Sequence, residues 1–138
     1  MKILIVDDTP TNRILLDKIV RSSFSFDTIL ASGGTEALEI LAKQKVDLVL
    51  LDVMMPDMNG YDVLKQLRAT EALKNLPVIV TTAAGDKSIV RDMVSLGVSG
   101  YLLRPFTANQ VVAAIQHALN NAGDGGPKSA APDGLPPS

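Results

Sequence analysis

The sequence predicts an α/β fold in which one parallel sheet is covered by helices on both faces. Short apolar runs recur at residues 3–6, 28–31, 48–51, 78–80 and 101–103. Most of them do not alternate polar with apolar residues, which is typical of strands buried on both sides. Helix-like segments lie between the runs, and this alternation favours a three-layer sandwich with right-handed crossovers.

The elements at the start of the chain carry local signals of their own. The run at 3–6 is followed by Pro10, a residue favoured in the first turn of a helix, and either Thr9 or Asp8 is suited to cap that helix. The run at 28–31 is weaker than the others because it begins with a polar Thr28. It therefore suits an edge strand.

Five segments between and after the runs have apolar residues at helical spacing. They are marked by Ile14, Leu15 and Ile19; Ala37, Leu38 and Leu41; Val63, Leu64 and Leu67; Ile89, Val90, Met93 and Val94; and Val111, Val112, Ile115 and Leu119. Gly97 is suited to end the fourth helix, and Thr107 is suited to cap the fifth. The predicted fold therefore has five strands and five helices.

Composition limits the function classes open to this chain. It has 138 residues, a net charge of −2, no cysteine and no tryptophan. The absence of cysteine excludes thiolate catalysis and a disulfide scaffold. No apolar run approaches the roughly 18 residues that a membrane-spanning helix needs, and we expect a cytoplasmic protein. Without a basic stripe or an aromatic stacking surface, direct binding to nucleic acid is not expected.

The chain divides into one folded domain and a tail. We expect the domain to span residues 1–121, a length that is enough for one core. Residues 123–138 contain four Gly and four Pro. We therefore expect residues 122–138 to form a disordered tail or linker.

Acidic and hydroxyl side chains directly follow the apolar runs. Asp7 and Asp8 follow the first run, Asp52 follows the third and Thr82 follows the fourth. Ligands in open parallel sheets bind at the carboxyl ends of the strands, so these side chains should meet at one edge. Carboxylates about 5 Å apart repel by about 3 kcal/mol per pair at an effective dielectric constant of 20. Such a cluster stays partly protonated or holds a hard cation such as Mg²⁺.

Four motifs in this order resemble the receiver domains of response regulators in two-component signalling. They are ILIVDD at 3–8, LLDVMMPDMNG at 50–60, PVIVTTA at 77–83 and GYLLRPF at 100–106. The opening residues 7–13 are similar to receivers found in hybrid sensor kinases. The resemblance covers residues 1–121 and implies a flavodoxin-like sheet with the strand order 2-1-3-4-5.

The resemblance also implies a chemical role for each residue that matches a motif. Asp52 would accept a phosphoryl group from a phosphohistidine, and Asp7, Asp8 and Asp52 would hold Mg²⁺ together with the main-chain carbonyl of Met54. The Thr82 hydroxyl and the amide of residue 83 would receive the phosphoryl oxygens. These parts suit phosphoryl transfer, which needs an in-line nucleophile, a metal and donors for the charge on the phosphoryl oxygens.

One position departs from the family pattern. Arg104 stands where receivers normally have a lysine before the final proline. Arginine presents a wide planar fork and lysine a compact ammonium, so the two are not equivalent. Arg104 either pairs with phosphorylated Asp52, or points outward and leaves a pseudo-receiver that binds partners without phosphorylation. We favour the first because the other site residues are all present.

Two further roles follow from the resemblance. Tyr101 matches the aromatic residue that fills the space vacated when Thr82 moves towards a phosphorylated aspartate, or else it is an ordinary strand residue with its hydroxyl in water. Met54 and Ala84 match the positions that flank the hydrolytic water. Neither side chain can orient water by hydrogen bonding, so we expect slow self-dephosphorylation.

The remaining candidate residues are interpreted as structural. His117, the one histidine, lies on a predicted helix without companions that could bind a metal, and we expect a surface or boundary residue rather than a phosphoacceptor. Asn59 and Gly60 should form a turn before the third helix. The methionines at 54, 55 and 58 are expected to pack beside the loop.

The predicted function is that of a phosphoacceptor in a phosphorelay, catalytic only towards its own aspartate. Its partners would be a sensor histidine kinase or phosphotransfer protein, and either a downstream effector or an output domain outside this sequence. Dimerisation through the last two helices stays open. A phosphate-ester hydrolase would need a cap over its substrate, for which residues 1–121 leave no room. A nucleotide or flavin carrier is disfavoured because no Gly-rich loop follows the first strand.

Overall fold

A computed structural model of the chain describes residues 1–83 and 85–121. The expected tail at 122–138 lies outside the described residues. Strands and helices alternate throughout the described part, as predicted. The strands are β1 (Lys2–Val6), β2 (Asp27–Ala31), β3 (Leu48–Asp52), β4 (Val78–Thr82) and β5 (Gly100–Leu103). The helices are α1 (Pro10–Phe24), α2 (Gly34–Lys43), α3 (Gly60–Ala69), α4 (Lys87–Leu96) and α5 (Ala108–Asn121).

The five strands form one parallel sheet in the order β2-β1-β3-β4-β5. This confirms the flavodoxin-like order and the edge position predicted for β2. Val6 pairs with Leu51, and Asp52 pairs with Thr81. The carboxyl ends of β1, β3 and β4 therefore lie level with one another, which brings the residues that follow them to one edge.

The sheet separates two apolar cores, and this explains the non-alternating strand sequences. Leu4 and Leu51 face the core that is shared with α2, α3 and α4. Ile3 and Leu50 face the core that is shared with α1 and α5. All four side chains are fully buried. The central strands are apolar on both faces because each face is covered, and only their carboxyl ends are polar.

Helix ends follow the sequence signals in two of three places. The Thr107 hydroxyl accepts a hydrogen bond from the Gln110 amide at 3.2 Å and so caps α5. Gly97 ends α4 with φ of 98°, a left-handed conformation that favours glycine. The cap predicted for α1 is confirmed in position only. Thr9 holds the cap position but its side chain accepts no bond from the helix, and Asp8 lies one residue too early.

Arg68 of α3 forms hydrogen bonds to the carboxyl-terminal end of α4. Its Nη2 donates to the Gly97 carbonyl at 2.8 Å, and its Nη1 donates to the Lys74 carbonyl at 3.1 Å. Burial of the guanidinium lowers the pKa of Arg68 to about 10. The carboxyl-terminal end of α4 is thus held to α3 by a partly buried cation. Among residues 1–83 and 85–121, no helix is both long and apolar enough to span a bilayer.

Candidate functional site

Three carboxylates converge at the carboxyl edge of the sheet, as predicted. Asp7 and Asp8 follow β1 and Asp52 ends β3, and one oxygen from each lies within 4.8 Å of the others. Asp7 is 0% exposed and Asp52 is 1% exposed, whereas Asp8 is half-buried. The level ends of β1 and β3 place these groups together although the two strands are more than 40 residues apart in the chain.

Burial raises the pKa of both Asp7 and Asp52. Burial and the neighbouring Asp7 carboxylate raise the pKa of Asp52 to about 7, although the Arg104 guanidinium opposes the rise. Burial also raises the pKa of Asp7, against the amide of Thr9 that donates to its Oδ1 at 2.8 Å. The site therefore carries unfavourable negative charge that a cation would relieve.

Arg104 points into the site. Its Nη1 lies 3.1 Å from Asp52 Oδ1 and 3.8 Å from Asp7 Oδ2, and its side chain is 21% exposed. Its backbone amide donates to the Thr82 carbonyl at 2.7 Å, which ties the residue to the end of β4. The structure does not have the outward placement, since Arg104 contacts the unmodified Asp52 carboxylate. Its pairing with phosphorylated Asp52 stays a prediction.

Thr82 ends β4 beside the acidic cluster and is 2% exposed. Its hydroxyl lies 3.2 Å from two acceptors, the Ala83 carbonyl oxygen and Asp86 Oδ2. The Ala83 amide donates to the same Asp86 oxygen at 3.0 Å. Ala84, expected to flank the hydrolytic water, lies outside the described residues. Asp86 was not identified as a site residue from the sequence.

The loop from β3 to α3 departs from one expectation. Met54 does not pack, since 54% of it is exposed, whereas Met55 is buried. Asn59 does more than form a turn, because its Oδ1 accepts from the Asp62 amide at 2.9 Å and caps α3. The Gly60 amide donates to the Val53 carbonyl at 2.6 Å and closes the loop onto the end of β3.

Asp57 joins this loop to α2, a contact that was missed in the sequence. Its carboxylate oxygens accept from the amides of Gly34 at 3.3 Å and Thr35 at 3.0 Å. These bonds lower the pKa of Asp57, the Thr35 amide having the largest effect. No local pattern could have revealed the contact, because 22 residues separate Asp57 from Thr35.

Two other predicted residues have clear positions. Tyr101 is half-buried in β5 and packs against the core shared with α2, α3 and α4, and burial raises its pKa. That Tyr101 moves into the space vacated by Thr82 on phosphorylation stays a prediction. His117 is exposed on α5, as expected.

The residues present fit a hard divalent cation. Asp7 Oδ2 is buried and accepts no hydrogen bond from any residue of the described part of the chain, although it aims into the cluster. Ligand atoms on opposite sides of Mg²⁺ lie about 4.2 Å apart, since each bond is about 2.1 Å long. The observed spread of up to 4.8 Å is close to that dimension. Carboxylate oxygens are also the donors that Mg²⁺ prefers.

Comparison with protein families agrees with this geometry. Residues 3–116 match the family model described as the response regulator receiver domain. This chain belongs to the receiver-domain family. The receiver is therefore a signalling domain of two-component systems, and the resemblance inferred from its four motifs is confirmed.

Individual relatives support the same assignment. The receiver is 43% identical to chemotaxis protein CheY-3 of Vibrio cholerae over 108 residues, or 78% of this chain and 83% of that protein. It is 35% identical to sporulation initiation phosphotransferase F of Bacillus subtilis over 118 residues, or 86% of this chain and 93% of that protein. Among solved structures, a response regulator receiver protein from Pseudomonas putida superposes with a TM-score of 0.77 at 30% identity, covering 83% of this chain and 94% of that chain.

Proposed function

We propose that this receiver accepts a phosphoryl group on Asp52 from a phosphohistidine of a partner protein, and that the modification changes its contacts with other proteins. The observation that supports this proposal is the convergence of a buried Asp52 with two further carboxylates and Arg104. An isolated structural carboxylate would not need such surroundings. Burying the Asp52 carboxylate costs free energy, and carboxylates buried at such a cost are common at functional sites.

Each residue of the site has a separate role in the proposed phosphoryl transfer. An Asp52 oxygen attacks phosphorus and forms an acyl phosphate, while the bond from phosphorus to the donor imidazole nitrogen breaks and the nitrogen keeps its electron pair. Thr82 and the amide of Ala83 donate to the phosphoryl oxygens. Arg104, already 3.1 Å from Asp52, neutralises part of the added charge.

Asp7, Asp8 and Asp52 would hold Mg²⁺ together with the carbonyl of Met54. When bound, the ion offsets negative charge on the attacking carboxylate and on the transferred group. The buried Asp7 Oδ2 is suited to bind it because this oxygen accepts no hydrogen bond within the described residues. Arg104 lies 3.8 Å from the same oxygen and must share it with the ion.

Incubation with acetyl phosphate and Mg²⁺, followed by intact mass measurement, tests the proposal. We expect one phosphoryl adduct in the unaltered protein and none in Asp52→Asn. The matched control is Asp92→Asn, which removes the same charge from an exposed position on α4 and should still form the adduct. If the unaltered protein never gains the adduct, phosphoacceptance is contradicted and the pseudo-receiver alternative based on Arg104 is supported.

The partners follow from the same proposal. A histidine kinase or a phosphotransfer protein would donate the phosphoryl group, and a downstream protein or an output domain would respond to it. A phosphorelay role is supported by the relative named as a sporulation phosphotransferase, and a chemotaxis-like effector role by the relative named CheY-3. The domain would catalyse only its own phosphorylation and dephosphorylation. The cytoplasmic location expected from the sequence stays a prediction.

A further inference from the structure

Helix α4 begins at an aspartate that does not cap it. Asp86 holds the cap position, from which an aspartate normally accepts a bond from the second or third amide of its helix. No such side-chain bond is present, and the first turn of α4 contains no acidic residue. The Asp86 carboxylate points back towards β4 instead.

The carboxylate of Asp86 occupies two donors of the proposed phosphoryl site. Its Oδ2 lies 3.0 Å from the Ala83 nitrogen and 3.2 Å from the Thr82 hydroxyl. An amide and a hydroxyl each have one proton to donate. The Ala83 amide proton is directed at Asp86, and the Thr82 proton is shared between Asp86 and the Ala83 carbonyl, so neither is available to a phosphoryl oxygen.

We propose that Asp86 is a positioning residue that holds Thr82 and Ala83 in the unphosphorylated receiver and is displaced when Asp52 is phosphorylated. The displaced carboxylate then turns towards the amides of Ser88 and Ile89, the second and third of the helix, and caps α4. This inference rests on the proposed function, because it needs the phosphoryl group to claim both donors.

Each group that loses a hydrogen-bond partner in this displacement gains a new one. Thr82 and Ala83 replace a carboxylate acceptor with a phosphoryl acceptor that carries more charge. Asp86 is half-buried, so its released carboxylate reaches water as well as the first turn of its helix. Negative charge is favourable at a helix amino terminus, which offsets part of the cost of the bonds that Asp86 loses.

Displacement of Asp86 changes the contacts at the amino-terminal end of α4 and leaves those at its carboxyl-terminal end in place. Arg68 donates to the Gly97 carbonyl at the far end of the helix. The first turn of α4 is joined to β4 by the Asp86 carboxylate and by the bond from the Asp86 amide to the Ala83 carbonyl at 3.1 Å. Loss of the carboxylate contacts would therefore change the surface around the start of α4, whether or not Tyr101 moves.

Amide NMR of the metal-free protein tests the resting contact. In Asp86→Ala we expect the Ala83 amide resonance to shift and its hydrogen exchange to quicken by about tenfold, since the amide loses a charged acceptor. The control Asp92→Ala removes the same charge from a later turn of α4 and should leave Ala83 unchanged. An Ala83 amide that is the same in all three proteins overturns the proposal.

Beryllofluoride with Mg²⁺, which mimics the phosphoryl group, tests the displacement. We expect the half-saturating concentration to fall by about fivefold in Asp86→Ala, because no acceptor must be displaced, and by less in Asp86→Asn, which keeps a weaker neutral acceptor. Asp92→Ala should match the unaltered protein. In the unaltered protein, the amides of Ser88 and Ile89 should become more protected on saturation.

The outcomes separate this inference from the function on which it rests. If the unaltered protein does not bind beryllofluoride, the proposed function fails and the inference fails with it. If the unaltered protein binds but Asp86→Ala binds no more tightly than Asp92→Ala, only the role of Asp86 is overturned. Asp86→Asn preserves the shape of the side chain, so it provides the comparison if the alanine variant folds poorly.

Discussion

At the scale of single residues, Asp52 combines nearly complete burial with a negative charge. Its pKa is raised to about 7, so the folded protein retains a proton that the unfolded chain releases near its usual value of 3.8. The stability contributed by this protonation is complete below about pH 4 and is lost as pH rises through about 7. Without a divalent ion, the protein should therefore become less stable across this range.

Asp52→Asn should remove this dependence on pH. Without divalent ions, we expect the variant to be more stable than the unaltered protein at about pH 8, by on the order of 4 kcal/mol, and about equally stable near pH 4. Urea unfolding at both pH values measures the difference. Asp57→Asn should lower stability by about the same amount at both pH values, because the lowered pKa of Asp57 contributes stability that is lost only as pH falls below its usual value of 3.8. A stability difference for Asp52→Asn that does not grow with pH would contradict the account.

Arg104 and a divalent ion should compete for the same carboxylates. Arg104→Ala removes a positive charge 3.1 Å from Asp52 and 3.8 Å from Asp7. We expect its affinity for Mg²⁺ to rise by about tenfold, while Arg104→Lys, which keeps the charge, should stay within about threefold of the unaltered protein. Calorimetric titration gives both values. Weaker binding by Arg104→Ala would mean that the guanidinium supports the ion.

Met54 should limit how fast the acyl phosphate is hydrolysed. The side chain is 54% exposed beside the site and cannot orient water by hydrogen bonding. Met54→Asn should speed decay of the phosphorylated protein by about tenfold, and Met54→Leu should leave the decay rate near that of the unaltered protein. The loss of the phosphoryl adduct can be followed by intact mass. Equal decay rates in all three proteins would refute this role.

Residues that touch the proposed chemistry were easier to predict than residues that support it. Asp7, Asp52 and Thr82 each follow an apolar run, and parallel strands bring such positions to one edge. The carboxylates of Asp57 and Asp86 accept hydrogen bonds from backbone amides. Which amides they reach depends on the loop conformation, and residue spacing does not reveal it. The exposure of Met54 was missed for the same reason.

At the scale of elements, the loop from β3 to α3 depends on close backbone approach. A Cβ atom added at Gly60 would lie 2.5 Å from the Asp52 carbonyl oxygen and 3.1 Å from the Val53 Cα. Both are backbone atoms, so neither can move aside without displacing the end of β3 itself. The loop that would supply the Met54 carbonyl thus packs against the backbone of Asp52, the proposed phosphoacceptor.

Gly60→Ala should therefore damage both stability and phosphorylation. We expect a loss of about 1–3 kcal/mol in the free energy of unfolding, together with slower formation of the phosphoryl adduct. Gly100→Ala is the matched control, since a Cβ there meets nothing within 4 Å. Its stability should change by no more than about 1 kcal/mol. Equal effects of the two substitutions in urea unfolding would show that the close approach at Gly60 is unimportant.

At the scale of the whole molecule, the sheet order determines which residues meet. The strand order places β1 and β3 side by side at the centre, so the residues that follow them share one edge. Non-alternating apolar strands were enough to predict a covered parallel sheet. The order itself was inferred from the family motifs, because many strand orders satisfy the same apolar pattern.

The central claim is that three carboxylates from separate parts of the chain hold one divalent ion and leave Asp52 ready to be phosphorylated. Titration of the full chain with Mg²⁺ by calorimetry tests it most directly. We expect one binding event in the unaltered protein and in Asp92→Asn, and a loss of at least about tenfold in affinity in Asp7→Asn. No detectable binding to the unaltered protein, or equal binding by Asp7→Asn, would contradict the account.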